Sequence, residues 1–189
     1  MSGQVCEPEG PADYARVCVE CLVSGRPVPD APDGTLYTRQ AACFVSLKKD
    51  GQLRGCIGTL EPAEPHLGAE IARNARSAAF EDPRFARVRE DELVALACSV
   101  DVLSPSEPCT LDDLDPRVYG VIVASGYRRG VLLPDLEGID TAAQQVGVAL
   151  QKAGIRPEES FSIRRFTVRR YREGEQSDGV PEGAGAADG

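Results

Sequence analysis

Apolar residues return at every second position in Ala42-Cys43-Phe44-Val45-Ser46-Leu47-Lys48 and again in Leu53-Arg54-Gly55-Cys56-Ile57-Gly58-Thr59, a spacing that predicts two strands. Asp50-Gly51 between them predicts a type I′ hairpin turn. Counting back from that turn pairs Lys49 with Gln52, Leu47 with Arg54, Val45 with Cys56 and Phe44 with Ile57. Arg54, Cys56 and Gly58 are therefore expected on one side of the hairpin. Upstream the period is helical: Tyr14, Val17, Cys18, Cys21 and Leu22 recur at i, i+3, i+4, i+7 and i+8 behind Asp13, which is placed to cap the helix. Downstream of the hairpin, Pro65 is placed to open a helix, and Pro83 ends it. Its apolar sector holds Leu67, Ile71, Asn74 and Ala78, so an amide sits among buried positions and needs hydrogen-bond partners there.

The second half repeats this mixture. Leu96, Cys98, Val100 and Val102 alternate inward in a strand from about Ala95 to Ser104, and Leu111 to Pro116 reads as a short acidic turn or helix. Gly120 to Ala124 and Val131 to Pro134 predict a second hairpin, with Arg128 and Arg129 at its solvated tip. Asp140 or Thr141 caps a helix to about Ala153, buried through Ala143, Val146, Gly147 and Leu150 and stopped by Gly154. Phe161 to Tyr171 is the last strand. Hairpins and separate helices without regular strand–crossover alternation indicate an α+β fold, an antiparallel sheet with flanking helices. One domain is expected over residues 13–172, with a loose N-terminus at 1–12 and a disordered acidic tail at 173–189.

Composition narrows the function classes. The hydrophobic share of 42% and charged share of 27% are those of a soluble globular protein. No apolar run approaches the roughly 20 residues needed to span a bilayer, and the N-terminal stretch has no basic n-region or apolar h-region. A cytoplasmic setting is expected. The net charge of −9 argues against a protein that coats nucleic acid or an anionic membrane. Seven scattered cysteines, an odd number, read as free thiols rather than a secreted disulfide framework.

The candidate chemistry gathers at the first hairpin. Glycine weakens a strand unless a bulge, a ligand or another backbone requires it, so Gly55 and Gly58 mark a site where something comes close. Residues two apart on a strand are about 6.6 Å apart, which lets Arg54 favour a Cys56 thiolate. The bland alternative is a buried core cysteine beside glycines that permit a bend. Asn74 either satisfies backbone near the hairpin or orients substrate, and Asp82 with Arg84 either serves the site or ties the turn. Cys18-x-x-Cys21 lacks a second pair, and its place on a helix stripe favours core packing over a metal. The single histidine, His66, is the sole imidazole base available to a Cys-His pair. Arg164, Arg165, Arg169, Arg170 and Arg172 form either an anion-binding stripe or a charged sheet edge. No cofactor motif is evident.

Leu53-Arg54-Gly55-Cys56-Ile57-Gly58, then Asn74-Ala75 and Ser77-Ala78-Ala79-Phe80-Glu81-Asp82-Pro83-Arg84-Phe85, and later Gly126-Tyr127-Arg128-Arg129-Gly130-Val131-Leu132-Leu133-Pro134, closely resemble the family of the AMME-syndrome candidate-region protein, whose prokaryotic members are called AmmeMemoRadiSam system protein A. The resemblance runs from about Tyr14 to Tyr171. It implies an α+β fold in two unequal lobes with the cysteine-bearing signature at a cleft. It also implies association with a Memo-type protein and a radical S-adenosylmethionine enzyme, through neighbouring genes, and no settled activity.

Two function classes follow. In the first, a thiol-dependent enzyme or enzyme-system component acts on a small molecule or modified amino acid. Cys56 and Arg54 are then catalytic, and Gly55, Gly58, Asn74, Asp82 and Arg84 bind substrate. In the second, the cleft is a non-catalytic binding or accessory module for a protein or RNA partner.

Overall fold

The computed structural model describes residues 8–174. Helix α1 (Pro11–Val23) begins with proline at its first position, where the missing N–H costs nothing, and is capped by Gly10 rather than Asp13, which lies in the first turn. Its buried stripe runs through Tyr14, Ala15, Cys18, Val19 and Cys21, leaving Val17 and Leu22 at its margin. The proline-rich segment that follows is irregular until a single helical turn, α2 (Thr35–Thr38), which the sequence pattern does not reveal.

Strands β1 (Cys43–Lys49) and β2 (Gln52–Gly58) form the first hairpin. Asp50 and Gly51 at its tip both have positive φ, 51° and 79°, the backbone a type I′ turn requires. The register departs from the simple count: Lys49 faces Gln52 and Lys48 faces Leu53, but then Leu47 faces Gly55 and Ser46 faces Cys56. Arg54 is the extra residue of a β-bulge, and the bulge shifts every later pair by one. Helix α3 (Leu67–Phe80) starts two residues beyond Pro65, capped by His66, whose Nδ1 accepts the Ala69 N–H at 3.2 Å. Its face of Leu67, Ile71, Ala75 and Ala78 is buried, each large aliphatic side chain contributing about 2 kcal/mol.

Strand β3 (Leu96–Leu103) pairs with β1 and completes the predicted inward set. After the two-residue strand β4 (Glu107–Pro108) come β5 (Gly120–Ser125) and β6 (Arg128–Leu132), so Arg128 and Arg129 are strand residues, paired with Glu159 and Glu61, and Gly126-Tyr127 makes the tip. Helix α4 (Ala142–Ala153) has Thr141 as its cap and left-handed Gly154 as its stop, as expected. Gln145, Val146, Ala149 and Leu150 are its buried residues, while Ala143 and Gly147 are exposed.

The expected last strand is two. β7 (Ser162–Phe166) and β8 (Val168–Arg172) are separated only by Thr167, where the chain passes from one sheet to the other. The expected α+β fold in two unequal lobes is present, with one antiparallel sheet in each: β2-β1-β3-β8, packed by α1 and α3, and β4-β7-β5-β6, packed by α4. The first makes the larger lobe. Phe44, Leu103 and Val168 of the first sheet meet Ile122, Val131 and Phe166 of the second in a small shared core. The rest of that face of the first sheet stays open.

Among the described residues no helix is long and apolar enough to cross a membrane. The expected loose N-terminus lies mostly outside the described residues, and the expected disordered tail does so beyond Gly174. Glu173 accepts the Cys98 N–H, and the Gly174 N–H reaches Asp13 Oδ1 at 3.1 Å, so those two residues belong to the fold.

Candidate functional site

The cross-strand registers lay out the open face in rows. One row reads Cys56, Ser46, Ser99, Arg172 from β2 to β8, and the next reads Gly58, Phe44, Asp101, Arg170. Ser46 Oγ lies 3.1 Å from Cys56 Sγ. Asp101 is buried and grips Arg170 with both carboxylate oxygens, at 2.7 and 2.8 Å. That pairing raises Arg170 above the ordinary arginine value, with Asp135 and the Cys56 sulfur adding to the effect. Beside these rows lies a groove of about 350 Å³ whose polar lining is Ser46, Lys48, Ser99, Asp101, Arg170, Arg172 and Glu173; Cys56 itself lies next to Ser46, outside the lining.

Cys56 is also held from the outer edge of β2. Its N–H donates to Asp82 Oδ2 at 2.9 Å, and its carbonyl accepts from Arg84 Nη2 at 3.1 Å. Arg84 binds both oxygens of Asp82 as well, and it holds the Asp82 carboxyl well below the usual carboxylate range. A turn just past α3 thus satisfies the edge groups that an unpaired strand would expose. Arg84 is itself raised, first by its bonds to Asp82, and its guanidinium lies on the carbonyl side of Cys56.

The other expected site residues lie elsewhere. Arg54, turned away by the bulge, makes a bidentate pair with Glu92 at 2.9 Å through Nε and Nη2, and reaches the Arg87 carbonyl at 3.2 Å. It is not the cation beside Cys56. Gly55 faces α3, where any Cβ would collide with the Ala78 carbonyl oxygen, and Gly58 is overlain by the Phe44 ring. Something does approach both glycines, but it is the protein's own helix and aromatic ring. Asn74, 1% exposed, donates to the Cys43 carbonyl at 2.9 Å on the opposite face of the sheet and is structural. His66 is engaged as a helix cap. In the arginine stripe, Arg165 pairs with Glu107, Arg164 binds Ser106, and Arg170 is held by Asp101.

Ser46, Ser99 and Asp101 are the site residues that sequence reasoning missed, and Arg170 was recognised only as part of the arginine stripe. Their signal was their parity: each occupies the outward position between inward apolar residues on an inner strand or its neighbour, where sequence cannot separate a groove from open solvent. Burial separates the thiols. It pushes Cys18 and Cys43 up to about 12 and raises Cys98 and Cys109. Cys18 and Cys21 pack in the core of the larger lobe.

The Arg54–Glu92 pair has a pH signature. Arg54 is the main cause that lowers Glu92 from 4.5 to about 2, so the pair's contribution is complete above pH 4.5 and is lost as pH falls toward 2. Arg54→Met is expected to cost roughly 2 kcal/mol at pH 7, because both partners are largely buried. Thermal melts of the two proteins should converge between pH 4.5 and 2. A pH-independent gap would assign the loss to packing alone.

The AMMECR1 family model matches residues 12–174. The chain is 53% identical over 141 residues to a protein of Thermotoga maritima, covering 72% of this chain and 80% of that one. It is 45% identical over 155 residues to a protein of Clostridium acetobutylicum, covering 80% of this chain but only 33% of that longer one. The crystal structure of an uncharacterized protein from Pyrococcus horikoshii superposes with a TM-score of 0.78 at 27% identity, covering 89% of this chain and 92% of that chain. With the family model spanning nearly all the described residues, this chain belongs to the AMMECR1 family.

Proposed function

We propose that the chain is a thiol-dependent enzyme, or a component of an enzyme system, that acts on a small molecule or a modified amino acid at the groove beside Cys56. The observation that carries this reading is the half-buried Cys56 sulfur 3.1 Å from the Ser46 hydroxyl, at the end of a polar row on the open face of the first sheet. Thiolate is the nucleophilic form of cysteine, and the Ser46 hydroxyl beside the Cys56 sulfur is a donor that can solvate one. In this reading Arg170 takes the part first expected of Arg54. Asp82 and Arg84 position the Cys56 backbone. In this reading the protein works in the cytoplasm, where thiols stay reduced, alongside a Memo-type protein and a radical S-adenosylmethionine enzyme.

Limiting iodoacetamide near neutral pH, with each labelled peptide quantified, is expected to alkylate Cys56 at least about tenfold faster than Cys18, Cys43 or Cys98, whose burial disfavours both access and ionisation. Arg170→Met should slow Cys56 about threefold, the effect of a partly screened charge, while Arg54→Met leaves it unchanged. An inert Cys56 in the folded protein would leave the site a non-catalytic binding module for a protein or RNA partner.

A further inference from the structure

A second groove, of about 440 Å³, lies where the chain passes between the two sheets. The two crossings are bonded to each other in its lining. Ser104, just past β3, donates its N–H to the Thr167 carbonyl at 3.0 Å, and Thr167 returns its own N–H to Ser104 Oγ at 2.9 Å. Buried Ala41, Val102 and Leu103 supply apolar surface, extended by the exposed ring of Pro105. Ser104 Oγ also donates to the Pro105 carbonyl, and Gln40 Nε2 donates to the Glu64 carbonyl at 3.3 Å, which leaves Gln40 Oε1 and the exposed Thr167 hydroxyl for a ligand. The charged lining has one sign. No acid lines this groove, on a chain whose net charge is −9, whereas Asp101 and Glu173 both line the groove beside Ser46 and Ser99. Arg39 lines it, and among the described residues this exposed arginine makes no ion pair. Arg169 lines it too, but its guanidinium lies over the Tyr171 ring, and the ligand's charge is assigned to Arg39 alone.

From this arrangement we infer that the groove at the lobe junction binds a small carboxylic acid with a compact apolar body, its carboxylate on Arg39 and its body against Ala41, Val102, Leu103 and Pro105. The inference is independent of the thiol reading and adds a second site. Size and place agree with it: small-molecule pockets run from about 300 to 1,000 Å³, are mostly apolar with a few placed polar groups, and favour the junctions between structural units. The planar fork of an arginine matches the two oxygens of a carboxylate. One assigned guanidinium balances a single negative charge, which favours a carboxylate over a doubly charged phosphate monoester. A ligand seated here touches both crossings at once, through Ser104 and Pro105 on one and Thr167 on the other. Binding therefore stabilises the connection between the lobes. It calls for no bond making, and Arg39 is a binding residue.

Titrating the full chain with 3-phenylpropionate and with its neutral amide, 3-phenylpropionamide, while following backbone amide shifts by NMR, tests this. The acid is expected to bind with a Kd below about 1 mM and to shift the amides of Arg39, Gln40, Ala41, Leu103, Ser104 and Thr167, leaving those of Ser46 and Ser99 in place. The overall negative charge disfavours an anion at an ordinary surface, so a preference for the acid is a local property. That preference should be about fivefold, the effect of one partly screened cation. Arg39→Gln should reduce it to unity without weakening the amide, whereas Arg117→Gln, the same charge change at an exposed arginine outside the groove, should leave it intact. At a free concentration of ten times Kd the acid should raise the melting temperature by about 3–6 °C. Absence of shifts at about 10 mM acid, equal affinities for acid and amide, a preference that survives Arg39→Gln, or shifts centred on Ser46 and Ser99 would each overturn the inference and leave the thiol reading as it stands.

Discussion

Replacing Gly55 by alanine is expected to cost the fold about 3 kcal/mol and to lower the melting temperature by about 6–12 °C. A Cβ at this position would enter the Ala78 carbonyl group, backbone in the last turn of α3, with Leu47 Cδ1 the nearest side-chain atom at 3.7 Å. No flexible side chain can move aside, so the helix or the strand must shift as a body. The usual gain from removing a strand glycine, about 0.5–1 kcal/mol, is too small to offset this. Because α3 leads into the turn that carries Asp82, a displaced helix should also weaken the hold on Cys56, and its amide should exchange faster. Gly147→Ala is the control. It lies within α4 with nothing near a new Cβ, and should raise stability by about 0.5–1 kcal/mol through helix propensity. If Gly55→Ala melts like the parent protein, the close approach of β2 to α3 is not what excludes a side chain there.

How far the sequence could be read depends on where each determinant lies. Both hairpins and the long helices were legible because their signals are local: Asp50-Gly51 supplies the positive φ values, Thr141 and Gly154 cap α4, and alternation marks β3. The register of β2 was not. Its bulge is stabilised by Glu92, which binds Arg54 from 38 residues away and draws it off the face that Cys56 occupies. Gly55 and Gly58 could be recognised as anomalies, but the Ala78 carbonyl and the Phe44 ring that explain them come from a helix and a neighbouring strand. Phe161 to Tyr171 is extended throughout, so nothing in its alternation announces the change of sheet at Thr167. That change carries Arg170 to Asp101, and with it the half of the site that the first hairpin cannot supply.

Asp82→Ala is expected to cost about 2–3 kcal/mol, with the melting temperature falling by about 4–12 °C. The carboxylate is 4% exposed and accepts from the Cys56 N–H, the Arg84 N–H and the Arg84 guanidinium. Removing it leaves the Cys56 N–H without its partner and frees Arg84, which is half exposed and finds water readily. Most of the loss therefore comes from the backbone group and the turn rather than from an unpaired charge. Arg84→Ala alone should cost only about 1 kcal/mol, since it removes one bond to the Cys56 carbonyl in an exposed setting. The pH dependence has a definite sign. The folded carboxyl lies well below its ordinary value of 3.8, so its contribution is fully present above about pH 4 and shrinks as the solution is acidified below it. Parent and Asp82→Ala melts should converge only in that acid range. Hydrogen exchange gives the decisive readout: the Cys56 amide, bonded to a side chain, should lose protection in Asp82→Ala, while Val45 and Leu47, inside the sheet between β2 and β3, keep theirs. Uniform loss across all three would mean that the substitution destabilises the whole lobe rather than releasing the edge at Cys56, and the turn would then have no special hold on the site.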